Sequence, residues 1–263
     1  MRRGLFVPPF GEASDPHFLA SLAAEAEDAG WDGIFLWDHL RYADVSEILD
    51  PWIGLAAIAS ATKRIRFGQM VTPLARRRPW IVARQAAALD VLSHGRMILG
   101  VGLGDIKGGE FAAFGEELDI PARARKFDEA LELIAPLLAG ATVERVAGNY
   151  HIARTAFRPA AVQRPLPIWV AARWPNRAPL RRAARHQGVF VIQLDDASEL
   201  IQLNETLAAF RATRGPFDIV LAVPPGTDAE PWERGGATWL LTRFDPHRLR
   251  RREIHAQVIS GPR

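Results

Sequence analysis

Asp38 and His39 stand side by side at the end of an uninterrupted apolar run, "GIFLW", and lead into the charged stretch "RYADVSE". An imidazole titrates near neutrality, with an unperturbed pKa of about 6.5, so a histidine at the edge of a cavity can accept and return a proton. Asp38 has two readings. Its carboxylate either swings to the imidazole and fixes the tautomer, or it faces away and only buttresses the strand. Neighbouring strand residues point to opposite faces, which favours the second. As metal ligands the two fall short, because no further cluster of His, Asp or Glu accompanies them.

Two other stretches carry chemistry of a different kind. "GVGLGD" places glycines at 100, 102 and 104. A dinucleotide fingerprint needs glycine where Asp105 stands and a helix opening at once, whereas the loop "DIKGGEFAAFG" intervenes here. Gly102 and Gly104 fit better as positions where a flat ring or a phosphate approaches the backbone, with tight barrel packing as the plainer alternative. In "WVAARWPNRAPLRRAAR", Asn176 occupies an N-cap position, and Arg173 and Arg177 flank the helix start. Free N–H groups beside guanidinium groups make a phosphate site, set against two arginines on a surface loop. Arg76-Arg77-Arg78 occupies a similar loop and reads first as solvated, second as an attractor for an anionic cofactor tail. A P-loop, a nucleophile elbow and an H-E-x-x-H zinc helix are absent from the sequence.

The elements that must position these residues repeat one unit: amphipathic helix, short turn, apolar strand. Eight apolar runs, at 4–8, 33–37, 65–71, 97–102, 167–171, 188–193, 218–223 and 237–242, alternate with helical patterns. They are continuous rather than alternating, as strands covered on both faces are. This predicts a single-domain (β/α)8 TIM barrel over residues 1–263, with an open doubly wound sheet as the alternative. One small hairpin insertion at 141–163, turning at Gly148-Asn149, precedes the fifth strand. In a barrel, chemistry sits at the C-terminal strand ends. His39 falls on that face. Ser93, His94 and His186 fall in helix-to-strand turns and read as structural, and His255 in the last helix reads as solvated.

Composition narrows the function classes. The pI is 9.8, yet the net charge is only +3 and 30 of the 33 basic residues are arginines interleaved with acids, which speaks for a solvated surface rather than nucleic-acid binding. Arg248 and Arg250 to Arg252 form a cluster expected on an exposed terminal helix. There is no cysteine for disulfides or thiolate metal sites. "MRRGLFVPPFG" is broken by prolines before it can act as a targeting segment, and no apolar run nears the ~20 residues of a membrane span. A cytoplasmic protein with no membrane or nucleic-acid partner is the expectation.

The stretches "AEDAGWDGIFLWDHL", "ATKRIRFGQMVTPLARRRPW", "ARQAAALDVLSHGRMILGVGLGD", "EFAAFGEE", "KFDEALELI" and "VQRPLPIWVAARWPNRAPLRRAARHQGVF" together resemble the bacterial luciferase-like flavin-dependent oxidoreductases. That family includes monooxygenases and deazaflavin (coenzyme F420)-dependent dehydrogenases and reductases. The resemblance implies FMN or F420 as cofactor, a small organic substrate, a homodimer and, with FMN, a separate NAD(P)H-dependent flavin reductase. It implies that His39 faces the reactive centre of the ring and that Phe6 and Val7 wall the pocket. Met70, Val71 and Thr72 would underlie the ring, with Gly102 and Gly104 bordering it. Arg173, Trp174, Asn176 and Arg177 would bind phosphate.

The resemblance leaves two chemistries, oxygenation of the substrate through reduced flavin or hydride transfer without oxygen. The single histidine of "WDH" is similar to the F420-dependent branch, since luciferases carry two adjacent histidines. A non-catalytic flavin-binding relative and a metal-dependent barrel hydrolase stand as the readings outside this class. The chain is shorter than most members after the seventh strand, where "VPPGTDAEPWERGG" replaces a long covering loop.

Overall fold

A computed structural model describes residues 1–106, 108–212 and 215–262. In chain order the strands are β1 (Arg2–Val7), β2 (Gly33–Leu36), β3 (Arg66–Gln69), β4 (Thr72–Pro73), β5 (Leu99–Gly102), β6 (Val143–Arg145), β7 (Ile152–Thr155), β8 (Ile168–Arg173), β9 (Gly188–Ile192), β10 (Asp218–Val223) and β11 (Trp239–Arg243). The helices are α1 (Pro16–Asp28), α2 (Pro51–Ala61), α3 (Pro79–Leu92), α4 (Glu110–Ala113), α5 (Ile120–Leu138), α6 (Arg177–Ala183), α7 (Leu200–Phe210), α8 (Glu230–Arg234) and α9 (Arg251–Ile259).

Several boundaries are written locally. Asp15, Asp50 and Asp119 stand before α1, α2 and α5, and each carboxylate accepts backbone N–H bonds from the first turn, with a proline at one of the first two helical positions. At the far end of α1, Gly30 adopts φ +88°, the left-handed stop that glycine allows without penalty.

The strands pair in parallel in the order β3-β2-β1-β11-β10-β9-β8-β5-β4. Closure depends on β3 and β4 being two halves of one barrel strand, interrupted at the cis peptide Met70–Val71. The first half pairs with β2 and the second with β5. A parallel bridge between Phe67 and Met97 seals the seam. The result is the closed eight-strand TIM barrel expected from the repeat. The antiparallel pair β6–β7 forms the insertion before the fifth barrel strand, with Gly148 at φ +94° in its turn.

Two apolar layers hold the barrel. One lies between strands and helices; the other fills the interior with Phe6, Phe35, Met70, Ile98, Trp169, Phe190, Val220, Trp239 and Leu241. Phe35, Trp169 and Trp239 meet pairwise with ring centroids 5.3, 5.4 and 5.7 Å apart, so the lower barrel is plugged by rings. Burying each contributes on the order of 2–3 kcal/mol. Phe6 lies above them and touches both Trp37 and Phe190.

The N-terminal face is tied for stability. Arg96 is buried, and its guanidinium donates to the carbonyls of Ser93, Ile65, Ala59 and Thr62 and to the Thr62 hydroxyl. Ser93 and His94 belong to this turn, as expected of structural residues. His255 is not simply solvated, because its Nε2 pairs with Glu25 at 2.8 Å. In the terminal arginine cluster, Arg250 and Arg251 reach back to Glu12 and Asp15. Among the described residues, no helix is long and apolar enough to cross a membrane.

Candidate active site

A cavity of ≈ 1190 Å³ opens at the C-terminal end of the barrel. It takes side chains from or just beyond the barrel strands: Phe6, Trp37, His39, Met70, Val71, Leu103, Gly104, Arg173, Ile192, Ala222 and Arg243 among them. That volume lies just above the roughly 300–1,000 Å³ of ordinary small-ligand pockets. The short segment after β10 contributes Pro224 and Thr227, and α8 contributes Trp232. A wall therefore stands where the sequence left the cover open.

His39 enters the cavity with 15% of its side chain exposed. Its ring is wedged among aromatic neighbours, 5.0 Å from Tyr42, 6.0 Å from Trp37 and 6.1 Å from Phe10 between centroids. Nδ1 is buried and lies 3.4 Å from Oε1 of Glu110, a wholly buried carboxylate at the start of α4. The other Glu110 oxygen accepts from the Leu40 N–H at 2.9 Å. Burial pushes the Glu110 carboxyl up, but His39, the Arg76 guanidinium and the Leu40 N–H outweigh it and hold the group below the usual carboxylate range. Glu110 is thus an anion facing Nδ1, and Nε2 is the ring nitrogen left for the cavity.

Asp38 takes the other course. Its carboxylate is fully buried and is held by Arg76 at 3.1 Å and Arg77 at 2.7 Å, while Arg76 also donates to the Asp38 carbonyl at 2.8 Å. This corrects the reading of Arg76 and Arg77 as solvated. Arg76 lies only 3.5 Å from Glu110 as well, so one guanidinium bridges both carboxylates. Asp38 and His39 both lie beyond β2 and line the same cavity, but the Asp38 carboxylate is taken by the two arginines, and the carboxylate beside His39 comes from α4.

The structure brings Phe6, His39, Met70, Val71, Gly104, Arg173, Asn176 and Arg177 to the cavity. It does not bring Val7, which is buried in the strand–helix layer. Thr72 is buried off the cavity. Trp174 turns into the protein and donates its indole N–H to Glu199. Gly102 acts indirectly: a Cβ there would stand 2.5 Å from Val71 Cγ2 and 3.3 Å from Ala171 Cβ, so glycine lets two wall residues lie flush. Asn176 occupies the cap position of α6 but makes no side-chain cap bond.

The residues missed in the sequence include the cavity-lining Trp37, Ala171 and Ala222, and two buried charged residues, Glu110 and Arg123. Arg123 is buried on α5, stacks 4.2 Å from the Phe111 centroid and donates to the carbonyls of Leu103 and Gly104 at 2.7 Å for the latter, pinning the loop after β5. A glutamate followed by phenylalanine in "GGEFAAFG" is the only local signal for Glu110, and nothing local marks Arg123.

These residues fit a planar ring carrying an anionic chain. Val71, Ala171 and Ala222 give a small-residue apolar wall, and the indole N–H of Trp37 is buried without a protein partner. Arg173, two residues beyond Ala171 on β8, and Arg177 at the start of α6 also line the cavity and are exposed.

The family model for luciferase-like monooxygenases matches residues 1–258. The chain belongs to the luciferase-like monooxygenase family. Among its relatives, the F420-dependent glucose-6-phosphate dehydrogenase of Gordonia bronchialis is 29% identical over 204 residues, covering 73% of this chain and 57% of that protein. This luciferase-like chain spans between about half and two thirds of the length of such relatives, from 48% to 65%. Its fold is shared by coenzyme F420-dependent tetrahydromethanopterin reductase from Methanopyrus kandleri, with TM-score 0.78, 17% identity and 99% and 97% of the two chains covered. An F420-dependent secondary alcohol dehydrogenase in complex with an F420–acetone adduct superposes with TM-score 0.79, 17% identity and 98% and 96% coverage.

Proposed function

We propose that this protein is an F420-dependent oxidoreductase that interconverts a small alcohol and its carbonyl compound, with His39 as the proton acceptor and donor. The observation that carries the reading is the His39–Glu110 contact. With Nδ1 turned to the buried Glu110 carboxylate, Nε2 is the ring nitrogen that can meet a substrate hydroxyl, which is the geometry a general base needs. The F420 dependence of relatives supports the choice of cofactor.

The bound deazaflavin would supply or accept the hydride. The chain supplies the rest. Val71, Ala171, Phe6 and Trp37 offer the apolar surfaces that hold a ring and exclude water, and Arg173 and Arg177 meet an anionic tail. His39 orients the substrate hydroxyl and moves its proton through Nε2. A homodimer belongs to this reading; Ile53 on α2 and Ile81 on α3 leave apolar surface exposed on packed neighbouring helices.

Titration of the purified protein with oxidised F420 and with FMN, following fluorescence, tests the cofactor assignment. The reading expects saturable binding of F420 well ahead of FMN. Tight binding of reduced FMN alone, with oxygen uptake on adding substrate, would replace it with monooxygenation fed by a flavin reductase.

A further inference from the structure

A second cavity, of ≈ 500 Å³, opens at the opposite, N-terminal end of the barrel. Three strand starts frame it: Arg2 begins β1, Arg66 begins β3 and Trp239 begins β11, with Arg64 just ahead of β3. The indole of Trp239 is wholly buried, and its N–H has no protein acceptor. The Arg2 guanidinium lies 5.4 Å from the centroid of that ring. Arg66 is half-buried. Its Nη2 donates to Gln163 at 2.9 Å, while its Nε is buried without a partner. Burial, and after it the positive charge of Arg2, lower the pKa of Arg66, so the two cations lie close enough to repel.

The neighbouring carboxylates are engaged elsewhere. Glu27 accepts the backbone N–H groups of Lys63, Arg64 and Ile65. Asp218 accepts from the Trp169 indole at 3.1 Å and from the Thr238 hydroxyl at 3.0 Å, and Asp90 accepts twice from Gln163. The other acids of the cavity, Asp28 and Asp32, are exposed. Among the described residues, no ion pair joins Arg2, Arg64 or Arg66 to a carboxylate. Buried donors without acceptors, beside cations without counter-ions, mark a place that an anion would complete.

We propose that Arg2, Arg64 and Arg66 form a phosphate-binding site at the N-terminal mouth of the barrel, for free phosphate or a small phosphomonoester. Guanidinium forks match phosphate oxygens, and a dianion offsets the repulsion between them. The volume suits a small organic phosphate as well as the bare ion, with Asp28 and Asp32 available to accept from its hydroxyl groups. None of these residues lines the cavity that holds His39, so the site is independent of the cofactor assignment.

The test titrates the full chain with inorganic phosphate and, separately, with glycerol phosphate at constant ionic strength, following melting temperature and heat of binding. A ligand specific to the folded state, at about ten times its Kd, raises Tm by roughly 2–5 °C in a chain of this size. Losing one charge-assisted contact in Arg2→Gln, an exposed position, should raise Kd roughly tenfold, and Arg66→Gln should act likewise. Arg177→Gln, at the other mouth, should keep the Arg2-dependent response. Tighter binding of glycerol phosphate assigns the site to an organic phosphate, and equal binding assigns it to the free ion. No response of the wild type to either ligand, or an undiminished response in Arg2→Gln, would overturn the site.

Discussion

Nδ1 of His39 lies 3.4 Å from Oε1 of Glu110, and Glu110 in turn lies 3.5 Å from the Arg76 guanidinium that holds Asp38. A histidine after β2, a glutamate on α4 and an arginine after β4 are thereby joined below the cavity wall. The arrangement aims one ring nitrogen at the cavity and keeps the carboxylate behind it charged.

Replacing Glu110 tests the link between the two. Glu110→Gln keeps the shape and removes the charge, and outer partners of this kind are worth about 10–100-fold. The expected result is a drop of that size in kcat with cofactor Kd unchanged, and partial recovery in Glu110→Asp. The folded-state pKa of Glu110 is depressed, so its ionisation stabilises the fold above the unfolded value of about 4.3 and that contribution is lost as pH falls through the lower folded value. Acid denaturation of Glu110→Gln should therefore lack this component.

Arg76 compensates two buried carboxylates, Asp38 and Glu110. Truncation in Arg76→Leu leaves both with less than they need, and breaking a buried pair costs about 3–5 kcal/mol. Chemical denaturation should show a loss of that order, with Arg78→Leu, whose side chain is exposed, close to wild type.

His186 gives a pH signature away from the cavity. Burial, with Arg185 and Arg182 adding to it, lowers its pKa to about 4. The unfolded chain binds the proton near pH 6.5, so stability from neutral His186 is present above about pH 6.5 and is lost as pH falls toward 4. The full effect is at most about 3 kcal/mol. Melting temperatures between pH 7 and pH 4.5 should fall less steeply in His186→Gln than in the wild type.

What the sequence disclosed, and what it hid, divides along a physical line. The eight strands were legible because each is a continuous apolar run between a helix stop and a turn, and those signals are local. His39 was legible from its place after the second such run. Glu110 was not, because its partners Leu40 and Arg76 lie far away in sequence, and a buried glutamate looks like a surface one until its partners are known. Arg76 and Arg77 were misplaced for the same reason. Val7 and Trp174 came with the resemblance, yet Val7 faces the helix layer and Trp174 bonds Glu199. Adjacent residues in a strand end share a neighbourhood without sharing a face.

Gly102 offers a test of the cavity wall. In Gly102→Ala the new Cβ would meet Val71 Cγ2 at 2.5 Å and displace that side chain. Overpacking of this kind costs about 1–3 kcal/mol of stability, and a Val71 displaced from the ring-binding wall should raise cofactor Kd by roughly fivefold or more. An unchanged Kd would show that Val71 takes no part in holding the ring.

In the proposed function, His39 moves a proton during hydride exchange with F420. The most direct measurement is anaerobic bleaching of F420 absorbance by a panel of small alcohols, with wild type and His39→Ala compared at saturating cofactor. Bleaching without oxygen is expected of the wild type. In the variant kcat should fall about 10²–10⁴-fold with F420 affinity unchanged. Equal rates for the two proteins, or product formed only with reduced FMN and oxygen, would contradict it.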